Sequence, residues 1–206
     1  AYIADVSFLR NSPGLVMVDL KTGEAWRALD QDPSVMPQSW LIRNPTKALS
    51  WLGGLFTLKP GIDGIAISKN DQFIVYGAMA HDTLFSVPTA ALRRDEAAQA
   101  ALQVKALGRK PLNDGLSMDR NDNIFITDVE HGSIMKMTPA GLLSTVVQDM
   151  QRLRWADALS FGPDGWLYVA DSALPDQLLR SKSHMREQAP YRIFRFKPGT
   201  EGVPGQ

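Results

Sequence analysis

The sequence predicts an all-β chain built as a β-propeller, and three observations carry that expectation. One short element, a carboxylate followed by a small residue and an alternating strand, occurs three times. It stands at Asp63-Gly64-Ile65-Ala66-Ile67-Ser68, at Asp114-Gly115-Leu116-Ser117-Met118-Asp119 and at Asp157-Ala158-Leu159-Ser160-Phe161-Gly162. Each copy passes through a polar turn into a second strand (Phe73 to Tyr76, Ile124 to Thr127, Trp166 to Val169) and then into a third that ends on Pro88, Pro139 or Pro198. The interval from Asp63 to Pro88 equals that from Asp114 to Pro139, and the third is longer because residues 172–190 are inserted. A period of roughly 40–50 residues with three or four strands per unit marks a propeller, whose sheets bury their faces only by stacking on one another.

The chain opens inside a unit. Tyr2-Ile3-Ala4-Asp5 has the form of Ile126-Thr127-Asp128 and Val169-Ala170-Asp171, which end second strands. Leu15 to Leu20 then reads as a third strand, Lys21-Thr22-Gly23 as its turn and Glu24 to Leu29 as a fourth. That unit has no leading carboxylate strand, so the chain reads as lacking its N-terminal portion, with open blade edges that invite the missing segment or self-association. Residues 30–60 are irregular, broken by Pro33, Pro37, Pro45 and Pro60, with a helix-capable stretch over 46–49 and a short added strand over 55–58. Asp95 precedes an Ala-rich run that it is placed to cap as a helix. The stretch 172–190 reads as a long polar loop. The tail 199–206, rich in Gly, is expected to be disordered or nearly so. The whole, 1–206, is one partial propeller domain with blades near 1–29, 61–110, 112–150 and 155–198.

Composition narrows the function classes. Twenty-two basic residues balance 22 acidic ones, so no basic surface argues for nucleic acid. No apolar run approaches the roughly 18 residues of a membrane helix. Cysteine is absent, which excludes disulfides, thiolate metal sites and a Cys nucleophile.

The repeated carboxylate is where chemistry enters. The first strand of a propeller blade is innermost and lines the central channel. Alternation puts Ile65 and Ile67, Leu116 and Met118, Leu159 and Phe161 on one face of their sheets, and small residues on the other. Asp63, Asp114 and Asp157 then stand at one height around one channel mouth. Converging carboxylates repel unless protonated or bridged by a cation. A hard ion such as Ca²⁺ or another divalent cation suits oxygen ligands from Asp63, Asn113 and Asp114, leaving Asp157 as candidate general base and ligand contact. Trp155, two residues before Asp157, is a candidate wall of the same mouth. Turn chemistry explains the pattern equally well, each Asp capping local backbone N–H groups; spacing alone leaves both readings open.

The stretch from Gly61 to Arg93 resembles the major royal jelly protein/Yellow family. So do Asn113 to Asp119 with Ile126-Thr127-Asp128, Arg154 to Tyr168, and Pro190 to Phe196, in that order. The resemblance has the flavour of bacterial members. It implies a six-bladed propeller of which this chain is the C-terminal two-thirds, a secreted or periplasmic location, and a channel that holds a small molecule. Ala158 departs from the family pattern, which has Gly there, and Gly77 stands where the other copies have Asp. More distantly, the chain is similar to gluconolactonase/regucalcin lactonases. That likeness implies a divalent ion at the mouth and hydrolysis of a lactone, with Asp63 at the position of a ligating Asn and Asp114 at that of a ligating Asp. The third ligand, a Glu, would come from a blade outside this chain.

Other patterns carry less. Asp119 to Glu130 fits a calcium-loop expression but has Ile124 where Gly is needed, and strands on both sides. His81 and His131 read as polar turn residues, and the tryptophans mostly as packing between blades.

Overall fold

The computed structural model describes residues 1–7, 10–44 and 47–203. Four antiparallel sheets follow one another along the chain. The first joins β1 (Tyr2–Asp5), β2 (Gly14–Val18) and β3 (Ala25–Ala28). Two short ladders come next, β4 (Arg43–Asn44) with β5 (Lys47–Ala48) and β6 (Ser50–Trp51) with β7 (Phe56–Thr57). The second sheet runs β8 (Ile62–Ile67), β9 (Phe73–Ala78), β10 (Thr83–Pro88), β11 (Lys105–Arg109). The third runs β12 (Leu116–Met118), β13 (Ile124–Asp128), β14 (Ser133–Met137), β15 (Leu143–Gln148). The fourth holds β16 (Ala156–Phe161), β17 (Leu167–Asp171) and β18 (Arg192–Phe196). Among the described residues the one α-helix is α1 (Lys182–Glu187), started by Ser181, whose hydroxyl accepts the N–H of His184.

Every sheet is a simple up-and-down meander, because short polar turns join strands that alternate in hydrophobicity. Burial then comes from stacking. The leading strands lie side by side, β8 against β12 and β12 against β16. β1 packs on β8 as β13 packs on β16, so it holds the second-strand position read from Tyr2 to Asp5. Leu15, Met17, Ile62, Tyr76 and Val87 form the core between the first two sheets, with Trp26 at its edge donating Nε1–H to Leu92 O at 2.8 Å. Val75, Leu84, Met118, Ile126 and Met137 fill the next interface. Phe125, Ile134, Leu159 and Val169 fill the last, where Phe125 and Phe161 meet edge to face at 5.5 Å.

Several local expectations are corrected. Lys47 and Ala48 pair as a strand rather than starting a helix, since Arg43 and Asn44 offer them a ladder; Thr46 lies outside the described residues. The Ala-rich run forms a 3₁₀ helix over Ala97–Gln103 whose N-cap is Glu96, with no side-chain cap. The insertion is not structureless: it carries a 3₁₀ turn at Leu174–Asp176 and α1. The tail is docked through Val203, which is buried, donates its N–H to Met118 O at 3.0 Å, and adds to the core of the second and third sheets. Residues 204–206 lie outside the described residues. Trp40 is 47% exposed, and Arg195 and Lys197 lie over the ring of Trp166.

Candidate functional site

The three carboxylates arise from two different backbone devices. In β8, Ile62 pairs with Ala78 but Gly64 pairs with Gly77, so Asp63 is the extra residue of a bulge. In β16, Ala156 pairs with Asp171 and Ala158 with Ala170, so Asp157 is likewise extra. A bulged residue leaves the ladder and its side chain is re-aimed. Asp114 instead precedes β12, where Thr127 Oγ1 accepts both its N–H and that of Gly115, at 3.0 and 3.1 Å. The threonine does the turn capping, which frees the Asp114 carboxyl for the site.

The carboxyls of Asp63 and Asp114 lie close enough to influence each other's titration, and both feel the charge of Asp157. Two carboxyls so placed can share a hydrogen bond only when one carries a proton. Burial, then the charge of Asp157, lifts Asp63 to about 6, against the Asp114 hydrogen bond. Burial, then Asp63 and Asp157, raises Asp114 well above the usual carboxylate range. The indole of Trp155 opposes that rise by donating Nε1–H to Asp114 Oδ2 at 2.7 Å. Trp155 is fully buried and meets the site through this N–H; its own backbone N–H goes to Asp171 Oδ1 at 2.7 Å. The Asp171 carboxylate also receives Arg154 Nε at 3.3 Å, which ties the mouth to the start of the insertion.

The small residue after each Asp has a steric cause. A Cβ on Gly64 would stand 2.7 Å from Asp114 O, and one on Gly115 would stand 2.4 Å from Asp157 O. Glycine thus lets each leading strand press on the next until the carboxylates meet. Ala158 is exposed, which is why a methyl is accepted there.

The register also corrects one alignment. Gly77 pairs with Gly64 as Ala170 pairs with Ala158, so the second-strand Asp of the other units corresponds to Ala78. Gly77 is small for another reason: a Cβ there would meet Lys110 Cε at 2.7 Å and Asn113 Oδ1 at 3.2 Å. Lys110 is buried, with Nζ donating to the carbonyls of Ala78, His81 and Pro111, one for each ammonium N–H. Burial pulls its pKa down to about 7, against the charge of Asp82, which raises it. Asn113 donates Nδ2–H to Asp114 O at 3.1 Å, while its buried Oδ1 has no hydrogen-bond partner and lies on the Gly77 and Lys110 side.

That arrangement bears on the expected cation. Asp114 Oδ2 is engaged by the indole of Trp155 and the Asn113 oxygen is turned toward Gly77. Among the described residues no group of three or more His, Cys, Asp or Glu side chains is disposed to hold a metal ion. As they stand, these residues do not form a metal shell. The calcium-loop pattern at Asp119 is turn capping, with Asp119 Oδ1 accepting from the N–H groups of Asn121 and Asn123 at 2.8 and 2.9 Å. His131 folds onto Asp128 within its own turn.

Two features of the mouth escaped the sequence. One is a cap, in which Ile42, Leu49, Met79, Leu112 and Val129 enclose Trp155, joined by Trp51, Leu58 and Leu174 at the rim. The only trace of it in the sequence is the apolar residues scattered through an irregular stretch. The other is a cavity of about 430 Å³ lined by Ile65, Ile67, Leu116 and Leu159 together with Tyr2. Ile65, Leu116 and Leu159 each follow a cluster carboxylate by two residues along the chain, and the carboxylates themselves are not among the residues that line the cavity.

Comparison with known proteins agrees with this architecture. No curated protein sequence matches. Among solved structures, the calcium-binding protein regucalcin from Agrobacterium tumefaciens superposes with a TM-score of 0.51 at 13% identity, covering 98% of this chain and 61% of that one. A putative 6-phosphogluconolactonase from Bacteroides fragilis gives 0.54 at 12% identity, covering 98% and 52%, and a chain of a nidogen/laminin complex gives 0.55 at 17%, covering 83% and 52%. This chain therefore spans about half to three-fifths of the length of these neighbours, and at such identities they establish the β-propeller fold alone. No helix among the described residues is long and apolar enough to cross a membrane. The sequence itself matches the major royal jelly protein family over residues 1–195, and the chain belongs to that family.

Proposed function

We propose that this propeller binds a small molecule in its channel, one with an apolar or aromatic body and a cationic end. The observation that carries the reading is the spacing along the leading strands: Ile65, Leu116 and Leu159 border the cavity, and each stands two residues along the chain from Asp63, Asp114 or Asp157. An apolar body gains by leaving water for those walls. A cationic group relieves the repulsion among the carboxylates. Asp157, one of the two bulged carboxylates, is the contact for that group, and Trp155 holds Asp114 in place for it.

The test is a thermal-shift and calorimetric titration with phenethylamine as probe, against 3-phenylpropanoate of the same shape and opposite charge. The amine is expected to bind and the carboxylate is not, and Asp157→Asn is expected to weaken the amine at least tenfold. Equal response to both probes refutes the reading. Calcium and a panel of aldonolactones belong in the same experiment. Lactone turnover that requires added metal and disappears in Asp114→Ala would replace the binding reading with a divalent-metal lactonase.

A further inference from the structure

From Pro33 to Ile62 the chain carries Arg43, Lys47 and Lys59 and no acidic residue. The short ladders of this stretch form one meander, in which Leu49 donates its N–H to Ile42 O and Leu58 donates to Leu49 O, both at 3.0 Å. Ile42, Leu49 and Leu58 join the cap around Trp155, which fixes the meander to the body of the protein. Its turn is built differently. Leu52-Gly53-Gly54-Leu55 joins β6 to β7, and Phe56 follows, without one polar side chain, although surface turns ordinarily carry Asn, Asp or Ser. Leu52, Leu55 and Phe56 are 75%, 77% and 58% exposed, and none of them belongs to a core of the protein. Single exposed leucines such as Leu20 and Leu102 are ordinary, but three large apolar side chains within five positions of an exposed turn mark a contact surface. The chemistry behind the tip says which kind. Trp51 pairs with Phe56, and the exposed Trp40 leads into β4 from the same end, so an aromatic belt follows the apolar tip. Three residues further back Ala48 pairs with Arg43, and the register of β6 with β7, continued, sets Lys59 on its other side; both cations are exposed. Glu130 reaches this base to accept the backbone N–H of Arg43 through Oε1 at 2.7 Å. By strand rise the aromatic and cationic rungs are about 10 Å apart, a spacing comparable to the depth at which apolar groups enter a lipid interface. Acyl chains, interface and anionic headgroups are met in that order by a segment with an apolar tip, an aromatic belt and a cationic base. A protein groove would account for the tip but not for the basic stretch set behind it.

We propose that this hairpin seats the protein on an anionic phospholipid surface, with Leu52, Leu55 and Phe56 below the headgroups and Arg43 and Lys59 against the phosphates. The docking is peripheral and independent of the channel ligand, so either reading stands or falls without the other. The test is co-sedimentation of the intact chain with vesicles of phosphatidylcholine and with vesicles of equal parts phosphatidylcholine and phosphatidylglycerol, read together with the blue shift of tryptophan emission. Association is expected with the anionic vesicles, about tenfold above the neutral ones, and weaker as added salt screens the phosphates. Leu52→Ser with Leu55→Ser should weaken it about tenfold at low salt. Arg43→Gln with Lys59→Gln should remove most of the preference for anionic lipid. Leu102→Ser, at a position 82% exposed elsewhere on the surface, should leave association unchanged. No association with anionic vesicles, equal association with both kinds, or equal loss in the tip pair and in Leu102→Ser overturns the proposal. So does a tip pair that fails to fold, which would place those leucines in the core. A lipid-free oligomer that the tip pair converts to monomer in sedimentation velocity would assign the tip to a second copy of the chain and overturn it as well.

Discussion

Replacing Asp63 by Asn tests the carboxylate cluster directly. In the folded chain Asp63 titrates near 6 against an ordinary 3.8, mainly through burial and secondly through Asp157. A folded pKa above the unfolded one means that the stability contributed by the protonated group is full below pH 3.8 and is lost as pH rises through about 6. Two units correspond to about 3 kcal/mol by which the ionised Asp63 burdens the fold at pH 8. Asparagine keeps the shape, still offers an N–H to Asp114, and never ionises. Asp63→Asn should therefore match the parent near pH 4 and exceed it at pH 8, by about 6–12 °C in melting temperature for a chain of this size. Thermal unfolding followed by circular dichroism from pH 4 to 8, in the presence of a chelator, measures this. Parallel pH profiles for the two proteins would show that the carboxyls do not share a buried mouth, and the argument from the bulges would fall. Repeating the series with calcium adds a second reading, because a ligating Asp63 predicts a calcium-raised melting point in the parent and none in the variant.

Further expectations rest on other contacts. Trp155→Phe removes the N–H on Asp114 Oδ2 while keeping most of the packing, so it should cost about 1–3 kcal/mol, more at pH 8 than at pH 5, as read from urea midpoints. Gly115→Ala forces a methyl against Asp157 O and should cost about 1–3 kcal/mol, whereas Ala158→Gly at the exposed equivalent should change stability by less than about 1 kcal/mol; equal effects would refute the close-approach explanation. Ending the chain at Pro198 removes Val203 from its core and should lower stability by about 1.5–3 kcal/mol, a loss absent if the tail were unattached.

The sequence by itself determined the first three strands of each repeated unit and their order, but not the outer strands β11 and β15 or the ladders of β4 to β7. Alternation at Ile65 to Ile67, Leu116 to Met118 and Leu159 to Phe161, with polar turns between, encodes meanders through local periodicity, and the repeat encodes their stacking. It also placed the three carboxylates at equivalent points, because equivalent positions in repeated units fall at equivalent heights. What only the tertiary structure decided is where those side chains go. The bulges at Asp63 and Asp157 depend on how first and second strands pair, and no local pattern distinguishes a bulged residue from one in the ladder. The same pairing shifts the counterpart of Asp128 and Asp171 from Gly77 to Ala78. Asn113 was legible as a polar residue beside Asp114, but the orientation of its carboxamide, with Nδ2 donating to Asp114 O and Oδ1 toward Gly77, is set only in the folded chain. Trp155 belongs to the site through one N–H, not through an exposed face, since residues as distant as Ile42 and Leu174 close over it. Local sequence specifies a strand, but burial, register and the aim of a side chain are set by neighbours that are distant along the chain.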